Sequence, residues 1–403
     1  MVLKFPISLL VVMAFVEWGG RVMQIPFLDL QTQYQQLAEQ LEHRVLHVLR
    51  SGQYILGPEV EAFENRAAQY LGIADAIAVS SGTDALLMAL MGLGIGPGDE
   101  VLVPDFSFVA TAMVVVRVGA TPVFVDVEPD TLTIDVQQAA AKVTNRTRAI
   151  IPVHLYGQMA DMDAVLQLAR EHDLWVIEDA AQAFGAEHRS GKKAGTLGTV
   201  GCFSFYPTKN LGAAGEAGLI VTNDPALAAR LRIIRNQGQQ HRYNSTVIGG
   251  NFRMDAVQAA ILNVKLPMVD QWNQHRQQLA HTYRHLLEQM GLLEQPHHPI
   301  RLLNVRYADS QAVFPHVYHQ FVVLAHRRDA LRQFLAQQGI ETQIYYPVPF
   351  HRQQCFARYP SIADPFPVAE TAAQQVLALP IYPGLPLAAQ QAIVQAMKQF
   401  YDA

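Results

Sequence analysis

The 403-residue chain carries 30 Lys and Arg against 35 Asp and Glu, for a formal net charge of −5; half of its residues are apolar and 16% are charged. That composition excludes a disordered chain, allows a large core and two domains, and provides no basic field or Lys/Arg run to attract nucleic acid. Two cysteines, Cys202 and Cys355, exclude a disulfide framework and fit a reducing compartment.

Ile7 to Val16 is a short apolar run after Lys4, closed by Glu17. It is too short to cross a membrane. It resembles the core of a signal peptide, but no small-x-small cleavage site follows. Residues 1–24 are therefore expected to be an extension, either a leader or the product of a start placed too far upstream, with Met23 as a natural beginning. The expected location is the cytoplasm, with no membrane partner.

From about Ala74, short apolar runs alternate with helix-like stretches. Ala76–Val79 reads as a strand and Asp84–Leu93 as a helix. Val101–Val103 is a strand and Val109–Val118 is helical. Pro122–Asp126, Ala149–Val153 and Leu174–Ile177 are further strands with helical stretches between them. Such alternation predicts an α/β fold, a mostly parallel sheet between helices. After Gly250 the texture changes. Asp255 to about Leu287 is helical with a break near Pro267, and a segment rich in Pro and His, Gln295-Pro296-His297-His298-Pro299, follows. Tyr318–Leu324 and Gln343–Tyr346 read as strands, Asp329–Gln338 as a helix, and two more helical stretches finish the chain. We expect a large domain over 25–262 and a smaller C-terminal α+β domain over 263–403.

Three places on this framework carry chemistry. Ser80-Ser81-Gly82-Thr83-Asp84 joins the first strand to its helix. Free N–H groups and the positive end of the helix dipole suit a phosphate there, although Ser-x-x-Asp is equally a plain N-cap. Asp179 ends a buried strand in Val176-Ile177-Glu178-Asp179, at the edge where parallel sheets bind ligands. A carboxylate there can keep a pyridine nitrogen protonated, or it can simply cap a turn. Glu178 alternates to the other side of the strand and is assigned no role. Lys209, after Ser204-Phe205-Tyr206-Pro207-Thr208, is either a solvated loop lysine or an amine able to form a Schiff base. The glycine-rich Gly92–Gly98 run lacks Gly-x-Gly-x-x-Gly spacing and follows a helix, so it is not a dinucleotide fingerprint.

Ser81-Gly82-Thr83-Asp84-Ala85-Leu86, Glu178-Asp179-Ala180-Ala181-Gln182 and Ser204-Phe205-Tyr206-Pro207-Thr208-Lys209-Asn210 together resemble the motifs of the DegT/DnrJ/EryC1/StrS aminotransferases. These are fold-type-I pyridoxal phosphate enzymes acting on nucleotide-linked keto sugars. The resemblance runs from about Ile25 to the C-terminus and includes Pro152–Gly157 and Tyr345–Pro349. It implies that Lys209 holds the cofactor as an imine and that Asp179 faces the pyridine nitrogen. It places Gln182 near the ring hydroxyl and Gly82, Thr83 and Ser204 on the phosphate. Phe108 would stack on the ring, or pack the core. Asn251 would reach the phosphate of a neighbouring subunit, which puts the active site at a homodimer interface. One branch of the family replaces the lysine with histidine and dehydrates its substrate; Lys209 argues against that branch.

The implied reaction is ping-pong transfer of an amino group from L-glutamate to a keto sugar. Gln53–Val60 and Asn236–Tyr243 resemble the subgroup acting on UDP- or dTDP-linked 3-keto sugars. Arg242 can meet a diphosphate, and Tyr345 and Tyr346 can line a sugar pocket; a solvated arginine and half-buried strand tyrosines are the alternatives. Two rival functions are a regulatory or sensory protein that has lost catalysis and a metal-dependent sugar enzyme. Against the first stands the complete Asp179–Lys209 pair, and against the second the lack of His-Glu-x-x-His or comparable spacing.

Overall fold

A computed structural model describes residues 24–293, 299–359 and 363–403. The expected extension over 1–24, apart from its last residue, and the His297-His298 pair lie outside the described residues. In chain order the elements are α1 (Leu30–Ser51), α2 (Pro58–Leu71), β1 (Asp75–Val79), α3 (Gly82–Gly92), β2 (Glu100–Pro104), α4 (Ala110–Arg117), β3 (Thr121–Val125), α5 (Val136–Ala141), β4 (Thr147–Ile150), α6 (Met162–His172), β5 (Trp175–Asp179), β6 (Val200–Ser204), β7 (Gly218–Thr222), α7 (Pro225–Arg235), β8 (Gln239–His241), β9 (Asn244–Ser245), α8 (Ala256–Lys265), α9 (Val269–Gln289), β10 (Ile300–Leu302), β11 (Phe321–Ala325), α10 (Arg328–Gln337), α11 (Pro367–Gln375), β12 (Val376–Leu379) and α12 (Leu387–Asp402). None of these helices is long and apolar enough to cross a membrane.

Seven strands form one sheet in the order β1-β7-β6-β5-β4-β2-β3. Only β7 runs against its neighbours, so the sheet is mostly parallel, as the alternation predicts. Strands such as Glu100–Pro104 are buried along their whole length because both faces are covered. The two-residue side-chain period divides the core. Ile77, Val101, Val103, Ile177 and Ile220 pack on one face with Leu86, Val114 and Leu231 of α3, α4 and α7. Ala78, Leu102, Val176 and Leu219 pack on the other with Phe63, Val165 and Leu262 of α2, α6 and α8.

Helix starts follow from local chemistry. The Asp29, Asp135, Asp161 and Asp224 side chains each accept N–H groups from the first turn of α1, α5, α6 and α7. The long helical stretch breaks where Pro267 cannot donate an N–H: α8 ends at Lys265 and α9 begins at Val269.

Beyond α9, β10-β11-β12 form an antiparallel sheet packed with α9, α10 and α12 around Tyr283, Val323, Leu335, Leu377 and Met397. One sequence expectation fails here. Gln343–Tyr346 is not a strand; Gln343 makes a single bridge to Ala378, and prolines at 347 and 349 deny the segment regular pairing. The third strand is instead Val376–Leu379, which follows α11 without a turn residue and so continues an apolar helical pattern in the sequence. β7 also has no counterpart in the sequence reading.

Glu178, given no role from the sequence, is fully buried and holds a loop. Its carboxylate accepts N–H groups from Gly195, Leu197 and Gly198 at 2.8, 2.7 and 2.6 Å and meets His154 Nε2 at 2.8 Å. His154 Nδ1 accepts from Ala160 N–H, which leaves the ring proton on Nε2, facing Glu178. Removing the carboxylate strands two buried donors, His154 Nε2 and Gly195 N–H, and two part-buried ones. Glu178→Ala is expected to destabilise the fold by about 3–5 kcal/mol, read as a lower denaturation midpoint with an unchanged slope; a loss within error of zero would refute the account.

Candidate active site

Parallel pairing of β5 with β6 sets the site. The register puts Asp179 opposite Cys202, so both strands deliver polar residues, Asp179 and Ser204, to one edge of the sheet. The chain then folds back on itself. Phe205 N–H donates to Ala217 O and Ala213 N–H to Phe205 O, and within that loop Lys209 N–H donates to Tyr206 O at 2.9 Å. The next residue anchors it: Asn210 Nδ2, almost fully buried, donates to Asn273 Oδ1 at 2.7 Å and to Val317 O at 2.9 Å. Lys265 Nζ donates to Gly212 O at 2.8 Å on the other side of the loop.

Lys209 and Asp179 line one cavity of about 620 Å³ together with Gly82, Thr83, Phe108, Gln182, Ser204, Tyr345 and Tyr346. Nine of the eleven residues singled out from the sequence therefore converge. Arg242 and Asn251 do not join them within the chain: Arg242 lies on the exposed β8–β9 hairpin and Asn251 bridges to Asn236.

The charges of Lys209 and Asp179 interact across this cavity. Burial pushes the Lys209 amine down to about 8, opposed by the nearby Asp179 carboxylate. Burial also pushes the Asp179 carboxyl up, against the Thr111 hydroxyl, the Ala181 N–H, Lys209 and His154, which all favour its charged form. Among the described residues no hydrogen bond is made to Lys209 Nζ, so its amine is free to act on something in the cavity.

The start of α3 faces the cavity and is able to seat an anion. Ser81 does cap the helix, its Oγ accepting from Asp84 N–H at 3.1 Å, and the same turn faces the cavity. Space there is reserved for backbone. A Cβ on Gly82 would lie 2.7 Å from Ser204 Cβ, and one on Gly218 would lie 2.4 Å from the Ser81 carbonyl. These two glycines let the helix start approach the end of β6.

Phe108 is 55% exposed, so it is not a core residue; its ring lies at the cavity 6.2 Å from that of Tyr346. Gln182 is committed to the wall: its Oε1 accepts from Tyr156 N–H at 2.6 Å and its Nε2 donates to the Tyr346 hydroxyl at 2.9 Å. The Tyr156 hydroxyl in turn donates to Tyr345 O, tying the 345–346 segment over the cavity. Burial holds the Tyr346 phenol well above its ordinary range, so it stays neutral.

Sequence reasoning missed Ser107, Glu216 and His319, which also line the cavity. His319 is buried, and burial plus the Lys209 and Arg276 cations hold its imidazole neutral. It sits among fifteen histidines at the start of a predicted strand, and nothing in its spacing sets it apart. Among the described residues no group of His, Cys, Asp and Glu is arranged to hold a metal ion.

The arrangement thus offers a nucleophilic amine, an ionisable acid, an anion seat and an aromatic cover. The model of the DegT/DnrJ/EryC1/StrS aminotransferase family matches residues 35–398. The chain is 45% identical to the pleiotropic regulatory protein of Geobacillus stearothermophilus, over 94% of this chain and 99% of that one. It is 43% identical to the dTDP-3-amino-3,4,6-trideoxy-alpha-D-glucose transaminase of Streptomyces venezuelae, covering 94% and 97%. The crystal structure of S. venezuelae DesV in complex with ketimine intermediate superimposes with a TM-score of 0.88 at 43% identity, covering 94% of this chain and 99% of that one. The chain belongs to the DegT/DnrJ/EryC1/StrS aminotransferase family and is a pyridoxal-phosphate-dependent aminotransferase.

Proposed function

We propose that the protein transfers an amino group from L-glutamate to a nucleotide-linked 3-keto sugar, with dTDP or UDP as the nucleotide, by a ping-pong mechanism. One observation carries this reading: a half-buried amine and a buried carboxylate share one cavity with a helix start able to seat an anion. The donor set fits pyridoxal phosphate. Gly82 leaves room that a Cβ would fill, Thr83 and Ser204 add hydroxyls beside the α3 N-terminus, and among the described residues Lys209 Nζ makes no hydrogen bond. Bound there, pyridoxal phosphate supplies an electron sink for the carbanion formed at the substrate carbon.

The chain's own residues supply the rest. Lys209 attaches the cofactor and moves the proton at the substrate carbon; an amine pushed down to about 8 is partly unprotonated near neutral pH and can act as a base. Asp179 would hold the cofactor's ring nitrogen in its protonated form. Phe108 would cover the ring, and Gln182, held by Tyr156 and Tyr346, would stand near the ring hydroxyl. Tyr345 and Tyr346 line the sugar side.

A homodimer completes the site. Leu30, Tyr34, Leu46 and Leu49 of α1, with Tyr54 and Ile55, are exposed apolar residues that an interface would cover. Asn251 and Arg242, absent from their own chain's cavity, then serve a neighbouring subunit's phosphate and diphosphate. The Streptomyces relative's 3-amino sugar product supports amination at that carbon. Glutamate and nucleotide sugars as reactants, and only two cysteines, favour the cytoplasm. The name of the Geobacillus relative raises a second reading, a regulator without turnover; the intact Lys209–Asp179 pair supports turnover.

Mass spectrometry of products from a panel of nucleotide keto sugars with glutamate tests the assignment; reaction of simple 2-oxo acids alone would overturn it. Lys209→Ala is expected to abolish the absorbance band of bound cofactor and lower kcat by about 10³-fold or more. An active Lys209→Ala enzyme would refute the role. Only the neutral amine attacks an aldehyde, so in the cofactor-free protein borohydride-trapped labelling of Lys209 by pyridoxal phosphate should rise to half its maximum near pH 8. Half-labelling near pH 10.5, the ordinary lysine value, would contradict the depressed pKa.

A further inference from the structure

Thr111 is fully buried in the first turn of α4 and faces Asp179. Its Oγ1 lies 2.8 Å from Asp179 Oδ2 and 3.1 Å from Phe108 O, yet the hydroxyl has one proton to give. The Phe108 carbonyl already accepts the Thr111 backbone N–H at 3.1 Å. Asp179 Oδ2 has no other protein donor among the described residues, and a carboxylate is the stronger acceptor. The proton therefore goes to Asp179. Ser107, which lines the cavity, stands 3.3 Å from Thr111 Oγ1 and can donate to the lone pair this leaves. Ser107, Thr111 and Asp179 form a short relay, and Phe108 lies between its first two members in sequence.

We propose that Thr111 is a positioning residue for the aminotransferase reaction: its hydroxyl holds the Asp179 carboxylate in one orientation and in its charged form, ready to face the cofactor's ring nitrogen. The proposal rests on the pyridoxal phosphate site described above. The titratable groups facing Asp179 define what Thr111 adds. Lys209 and His154 favour the charged carboxylate. The Cys202 thiol and Tyr346 phenol are held neutral by burial. Glu178 precedes it on the opposite side of β5, engaged with His154 and the 195–198 loop. Burial of Asp179 works against ionisation. Apart from the Ala181 N–H, 3.2 Å from Oδ1, Thr111 is the only direct protein hydrogen-bond donor to this carboxylate among the described residues. A threonine suits the place because its methyl group fills buried space while its hydroxyl reaches the acid.

The experiment compares Thr111→Val, which keeps shape without a donor, with Thr111→Ser, which keeps the donor without the methyl. Each is loaded with pyridoxal phosphate, and bound-cofactor absorbance is titrated from neutral to acid pH while affinity is measured by equilibrium dialysis. In Thr111→Val the acid transition should move up by about one pH unit and the dissociation constant should rise about tenfold, the factor matching one unit. Thr111→Ser should stay within about twofold of wild type. Equal behaviour of Thr111→Val and wild type overturns the proposal, and so does equal loss in both variants, which would mark a packing role. If Thr111→Val does not fold, Thr111→Ala takes its place against the same serine rescue. Wild-type protein that takes up no pyridoxal phosphate would refute the cofactor site itself, a result distinct from failure of the Thr111 assignment.

Discussion

Two opposite charges on the wall of one cavity are the constraint around which the rest is arranged. An amine and a carboxylate both lose hydration when buried, and each survives only if its surroundings replace what water gave. Here the replacement is incomplete by construction. Among the described residues Asp179 accepts two direct hydrogen bonds, and Lys209 Nζ donates none. The protein thus spends stability to keep an amine whose lone pair is accessible near neutral pH, which a solvent-exposed lysine does not have.

Keeping that cavity in shape falls to buried polar groups, two of which, Glu178 and Asn210, lie outside its lining. Glu178 fixes the 195–198 loop behind the acid, Asn210 fixes the segment that carries the amine, and Gln182 ties Tyr156 to Tyr346. Each is a buried polar side chain whose hydrogen bonds join segments far apart in sequence. Such groups hold a site to one geometry, because any displacement leaves a buried donor or acceptor unpaired. Neighbouring residues 178 and 179 point to opposite sides of one strand and divide the work between support and reactivity.

The parallel sheet and the convergence of Asp179, Lys209 and the Ser81-Gly82-Thr83 turn were legible in the sequence because short apolar strands ending in polar residues are local patterns. What escaped was set by distant partners. Glu178 looked idle because its donors come from residues 195–198 and from His154. His319 reaches the cavity only through packing against residues more than a hundred positions earlier, as Gly157 does against its backbone. Val376–Leu379 was hidden because a four-residue apolar run directly after a helix carries no period of its own. The 343–346 segment misled in the opposite sense, since its aromatic residues suit a strand but serve as a cavity wall.

The strand that runs against its neighbours also bears on how the molecule is made. β1 lies at the edge of the sheet with β7 as its neighbouring strand, whose first residue follows the last residue of β1 by well over a hundred positions; Val79 also bridges to Arg253, later still. On a ribosome, the opening strand and the helix turn after it wait without a ladder partner until that later segment has emerged. The seat for the anion is therefore assembled late in synthesis, and cofactor capture can only follow completion of the large sheet.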